Sequence, residues 1–112
     1  MKSLIHEFRS AASAYGAAIT TGNSKDANLH VKRVADVYRK LRAHGEAGQS
    51  ALLALLGSED QAIRYMAAVH ALEFAPEKGE QVLCNIVAGS PSPVRMLAQT
   101  SLKQWRSGLL RF

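Results

Sequence analysis

A chain of 112 residues with a formal net charge of +5, 47% hydrophobic and 21% charged residues, has the make-up of one globular domain, expected to span 1–112. That balance excludes a disordered polymer and a membrane-spanning chain, and Cys84, the single cysteine, excludes an intrachain disulfide framework. The opening MKSLIHEFRSAASAYG places His6, Glu7 and Arg9 where a signal peptide needs an unbroken apolar run, so the expected location is a reducing cytoplasm, with Cys84 a small buried hydrophobe.

Apolar residues recur at spacings of three and four, the period of helices. A first helix is predicted over about 3–21, capped by Ser3, with Leu4, Phe8, Ala12, Tyr15 and Ile19 on one stripe. Gly22 and Asn23 break it. A second helix over about 24–43 buries Ala27, Val31, Val34, Tyr38 and Leu41, and Gly45 suits the left-handed position after it. A short third helix over about 47–56 turns Leu52, Leu55 and Leu56 inward. Ser58, Glu59 and Asp60 then place acceptors and negative charge at the start of a fourth, over about 59–73. This fourth helix is apolar nearly all round, as a helix enclosed by neighbours must be. Pro76 opens a fifth over about 77–88, GSPSP turns the chain, and a sixth runs over about 92–106 with Val94, Leu97, Ala98, Leu102 and Trp105. The tail Leu109, Leu110 and Phe112 either folds back over helices five and six or forms an exposed patch for self-association.

Residues 46–71 align with 77–102 at a shift of 31. Glu46, Gly48, Leu52, Arg64 and Ala67 meet Glu77, Gly79, Leu83, Arg95 and Ala98, and the matched apolar positions face inward in both copies. A period near 30 made of helix–turn–helix units marks an α-solenoid, in which each pair buries its apolar face only against the next. The expected architecture is all-α: an α-α superhelix of about six helices in three antiparallel pairs. A divergent pair at 1–44 precedes repeats at 46–75 and 77–106 and a tail at 107–112, and helices two, four and six form one layer.

The second helices of the repeats read IRYMAAVHAL and VRMLAQTSL. They resemble the HEAT-repeat pattern, in which Val-Arg is followed by small residues and then Leu. HEAT repeats usually carry an Asp before that Arg. Asp60 stands there for Arg64, and Pro91 occupies the matching place for Arg95. Through IRYMAAVHALEFAPE, TSLKQWRSGLL and the Asn28 helix with its YRKLRAHG, most of the chain also resembles an uncharacterised bacterial family, domain of unknown function number two thousand and nineteen. That resemblance implies an α-α superhelix and no particular activity.

No constellation for catalysis is legible. His6, His30, His44 and His70 lack His-x-x-x-His or Glu-x-x-His spacing, so no metal site or cofactor is expected. Cys84 has no local His, and Glu59–Asp60 and Glu77–Glu80 lie in first turns, where the helix dipole favours them. His70 reads either as a core histidine bonded to a carbonyl or as a residue on a concave binding face.

Charge is the unusual feature. Residues 1–44 carry +5, residues 45–80 carry −4 and residues 81–112 carry +4. Repeat equivalence puts Arg64 and Arg95 on the same side of successive helices, with Arg33 extending the row and Lys32, Arg39 and His70 nearby. Each Arg can alternatively cap a carbonyl or bridge repeats. The expected function is a non-enzymatic protein-interaction module offering this row to an acidic protein partner, one form of it being an immunity-type protein that occludes a toxin. The alternative is nucleic-acid backbone binding through a basic face. No membrane partner is expected, and the end faces of the stack offer a homodimer contact.

Overall fold

Asn23, Asp60 and Ser92 start three helices by one device: the side-chain oxygen accepts a backbone N–H that the first turn leaves without a partner. The computed structural model describes residues 1–110 and 112; Arg111, counted above in the basic C-terminal third, lies outside the described residues. Six α-helices follow in order: α1 (Lys2–Thr20), α2 (Ser24–Ala43), α3 (Glu46–Ala54) with a 3₁₀ turn (Leu55–Gly57), α4 (Gln61–Ala71), α5 (Pro76–Val87) and α6 (Pro93–Arg106). Among the described residues there is no strand, and the fold is all-α.

One cap differs from expectation. Ser3 lies inside α1, whose cap position is Met1 with no side-chain bond. At α4, of the expected Ser58, Glu59 and Asp60, Asp60 is the cap: its Oδ1 accepts from the Ala62 and Ile63 N–H groups at 2.9 and 3.3 Å. Ser58 instead accepts from the Asp60 N–H.

The core gathers around α4, which buries Ala62, Ile63, Tyr65, Met66, Ala67, Ala68 and Ala71 against α1, α3, α5 and α6. Tyr65 Oη and Ser101 Oγ, 2.7 Å apart in the interior, tie α4 to α6. The layering differs from the expected one. α1, rather than α2, packs broadly on α4 and also touches α6. The reason is residue size. α1 buries Phe8, Ala11, Ala12, Tyr15, Gly16 and Ala18, a broad face in which four of the six are alanine or glycine. At Gly16 a side chain would stand only 2.5 Å from the Ala62 Cβ. The buried stripe of α2 (Ala27, Val34, Val37, Tyr38, Leu41) packs mainly on α1 and, at its C-terminal end, on α3. Val31, expected in that stripe, is exposed and Val37 is buried instead. The helices enclose a nearly isometric body of 34 × 28 × 26 Å.

The offset of 31 reappears as contacts. Gly48 presses on the Leu41 carbonyl at the end of α2, and Gly79 presses on Leu72 and the Ala68 carbonyl at the end of α4. Both members of each pair are 31 residues apart (41 to 72, 48 to 79). Each lacks a Cβ because the next helix starts against the backbone of the one before.

Cys84 is exposed, contrary to the expected burial. The inward positions of α5 are Gly79, Leu83 and Ile86, and Cys84 faces away from them, where Arg106 Nη2 donates to its Sγ at 3.7 Å. The tail folds back, over α4 and α6 rather than α5 and α6. Leu110 packs on the core, and the Phe112 ring lies 6.2 Å from His70 and 6.4 Å from Trp105, while Leu109 stays exposed.

Candidate interaction surface

The expected arginine row separates into two kinds of residue. Arg64 and Arg95 do occupy equivalent places, and both guanidiniums turn back onto their own hairpins. Arg64 Nη1 donates to the carbonyls of Ser58 at 2.7 Å and Glu59 at 3.1 Å. Arg95 Nε donates to the Val87 carbonyl, the last residue of α5, at 2.8 Å. Each therefore satisfies acceptors that the preceding helix or turn leaves open. Asp60, busy as a cap, forms no ion pair with Arg64 among the described residues. Arg64→Ala and Arg95→Ala are each expected to lower stability by about 1 kcal/mol in urea unfolding; unchanged midpoints would mean that water replaces these bonds at no cost.

Arg33 belongs elsewhere, because α2 is not in the layer formed by α1, α4 and α6. It is exposed on α2 and donates from Nη1 to His30 Nδ1 at 2.8 Å. At about 100° per residue, Lys25, Lys32, Arg33, Arg39 and Lys40 fall on one side of α2, opposite its buried stripe, and all are exposed. Asp36 shares that side, where Arg39 pairs with it at 2.7 Å, and Asp26 stands at its edge beside Arg33 in bearing, accepting from Asn23 Nδ2 at 3.0 Å. Lys25 and Lys40 were not among the expected site residues. The signal that could have found them is the angular position of each cation relative to Ala27, Val34 and Leu41.

Arg42, on the same helix and also exposed, turns along the surface towards the end of α4. Its Nη1 donates to Glu73 Oε2 at 2.8 Å, and its guanidinium lies 5.7 Å from the centroid of the Tyr38 ring. Tyr38 donates its phenolic proton to the other Glu73 oxygen. Burial, then the bond and charge of Glu73, push the Tyr38 phenol well above the ordinary tyrosine range, against a smaller opposing effect of Arg42. Arg106 Nε likewise approaches Glu80 Oε1 at 3.8 Å. The acidic middle of the chain is thus tied by cations from both basic ends.

His70 is partly exposed, with its ring set among aromatic neighbours. Its ring stacks on Tyr38 with centroids 4.4 Å apart, and the rings of Phe8 and Phe112 stand edge-on at 6.2 Å. The carbonyl partner expected for it is missing: Nδ1 is enclosed and has no hydrogen-bond partner among the described residues. Burial lowers its pKa to about 4; Glu73 raises it and Arg42 lowers it, both by less. His70 thus lies among aromatic rings, away from the outward cations of α2.

A cleft of about 810 Å³ separates α1 (His6, Arg9, Ser13) from the turn before α4 (Ser58, Glu59, Asp60). A second, of about 410 Å³, lies between Arg64 and Gln61 on one side and Asn85 and Ser92 on the other. Among the described residues no three His, Cys, Asp or Glu side chains are grouped to hold a metal ion, and no helix is long and apolar enough to cross a membrane. Comparison with family models, with curated proteins and with solved structures finds no match to this chain.

Proposed function

We propose that this protein is a non-catalytic interaction module of a bacterial cytoplasm that holds an acidic protein partner on the outward face of α2. One observation carries the reading. Lys25, Lys32, Arg33, Arg39 and Lys40 share a solvent face on which two carboxylates stand, Asp36, already matched by Arg39, and Asp26, bonded to Asn23, so that positive charge is in excess. The helix behind them is held in place by the Asn23 cap and by Val34, Tyr38 and Leu41 in the core, so little ordering is needed when a partner docks. This surface replaces the row of Arg33, Arg64 and Arg95, because the last two guanidiniums are engaged within their hairpins. An immunity-type protein that occludes a toxin is one form such a module takes.

The same cations favour a second reading, nucleic-acid backbone binding, whose mark is affinity falling steeply with salt. Fluorescence anisotropy with a polyglutamate peptide and with a DNA duplex, both at low salt, tests the two. Binding of the peptide is expected to weaken about tenfold or more when Lys25, Lys32 and Arg33 become Gln. Peptide binding that ignores these changes overturns the assignment to α2. Duplex binding without peptide binding replaces the acidic-protein reading by the nucleic-acid one.

A further inference from the structure

Leu29 sits on the cationic side of α2 with 56% of its surface exposed. On a helix its neighbours are the residues three and four positions away. All four of these are solvent-facing: Lys25 at i−4, Asp26 at i−3, Lys32 at i+3 and Arg33 at i+4. An apolar side chain is thus ringed by three cations and one carboxylate. Asp26, the nearest carboxylate in the chain, is turned to Asn23, whose Nδ2 donates to Asp26 Oδ2 at 3.0 Å. Asp36 is a further two turns along and is paired with Arg39. The N-terminal half of the face therefore carries the larger positive excess, three cations against Asp26, and Leu29 is at its centre.

We infer that the partner element held here is an acidic amphipathic helix, which seats an apolar side chain on Leu29 and sets its carboxylates against Lys25, Lys32 and Arg33. The inference rests on the reading of α2 as the binding face and adds the chemistry of what it holds. An apolar centre inside a charged rim is the anatomy of a protein–protein contact. A nucleic-acid backbone offers phosphates and sugars, which use the cations and leave Leu29 without a role. The spacing also selects a helix. Lys25, Leu29, Lys32 and Arg39 follow one another at intervals of four, three and seven, which a second helix lying along α2 meets with its own i, i+3, i+4 positions. An extended strand alternates sides every residue and brings its carboxylates out of step within about two turns. From Lys25 to Lys40 the face runs about 22 Å, about four turns of a partner.

Three fluorescent probes test this: a helix-forming Glu/Leu peptide with leucines at three- and four-residue spacing, a scrambled peptide of the same composition, and a DNA duplex. Anisotropy titrations of the whole protein are made at low and moderate salt. The amphipathic peptide is expected to bind about tenfold tighter than the scrambled one, and Leu29→Ala to erase that difference while leaving scrambled-peptide binding within about twofold. Because Leu29 is exposed, this variant is expected to keep the native circular dichroism and melting temperature. Equal binding of the two peptides, or indifference to Leu29→Ala, overturns the helix inference and leaves the acidic-face reading standing. Failure of both peptides overturns that reading and the inference with it. Tighter binding of the duplex than of either peptide overturns the inference in favour of nucleic acid.

Discussion

Gly48→Ala is expected to destabilise the protein by about 3 kcal/mol, although helix propensity alone favours alanine over glycine by about 1 kcal/mol. A Cβ at Gly48 would stand 1.9 Å from the Leu41 carbonyl oxygen and 2.8 Å from its carbon. Those atoms belong to the end of α2 and cannot rotate away as a side chain would. Relief requires moving α3 off α2, which breaks the contact that buries Leu52 and Leu41, each about 1% exposed. Gly79→Ala should show the same sign with a smaller loss, since its nearest backbone atom, the Ala68 oxygen, is 2.7 Å away and one close neighbour is the Leu72 side chain. Gly57→Ala is the control: nothing lies within 4 Å and its φ is not positive, so stability is unchanged or slightly higher. Urea denaturation of the three variants reads all of this. A Gly48→Ala midpoint equal to the native one would show that α2 and α3 meet less closely than described.

Acidification should cost the fold about 3 kcal/mol through His70 alone. Burial holds this imidazole at a pKa of about 4 in the folded state, while an unfolded histidine titrates near about 6.5. As the pH falls, the unfolded chain therefore takes up the proton first. Stability is complete above about pH 6.5, declines by about 1.4 kcal/mol per pH unit down to about pH 4, and is level below that as far as this group is concerned. The enclosed Nδ1 has no acceptor to receive a second N–H, and Arg42 adds a like charge nearby, while Glu73 opposes both effects more weakly than burial does. His70→Phe keeps a ring between Tyr38 and Phe8 and removes the unpaired nitrogen. It should unfold close to the native protein at pH 8 and be more stable than it by about 2 kcal/mol at pH 5. A gap between the two proteins that is the same at both pH values would show that His70 is not held uncharged.

The chain's own residues announced its helices well. Apolar spacings of three and four, Pro76, and the glycines at 22 and 45 placed six helices within a residue or two of where they lie, because those signals act within one turn of backbone. Gly48 and Gly79 were legible as a matched pair, and their contacts follow the same offset of 31. What sequence spacing could not supply was the partner each side chain meets. Arg33, Arg39 and Arg42 look alike along α2, yet Arg33 and Arg39 face solvent and Arg42 reaches Glu73, which lies 31 positions further along the chain. Cys84 adjoins the fully buried Leu83 and is nonetheless exposed, since one residue turns a helix by about 100°.

Local chemistry, then, determined where each helix starts and stops, which stripe of it is apolar, and the segregation of positive charge into the two ends of the chain. The tertiary structure decided which helices touch: α1 took the place beside α4 that periodicity assigned to α2, because Gly16 and its neighbouring alanines let two backbones approach where a larger side chain would hold them apart. It decided also that Arg64 and Arg95 close their own hairpins while the outward side of α2 is left cationic. A side chain's partner depends on the packing of the whole core, and no interval along the chain encodes that distance.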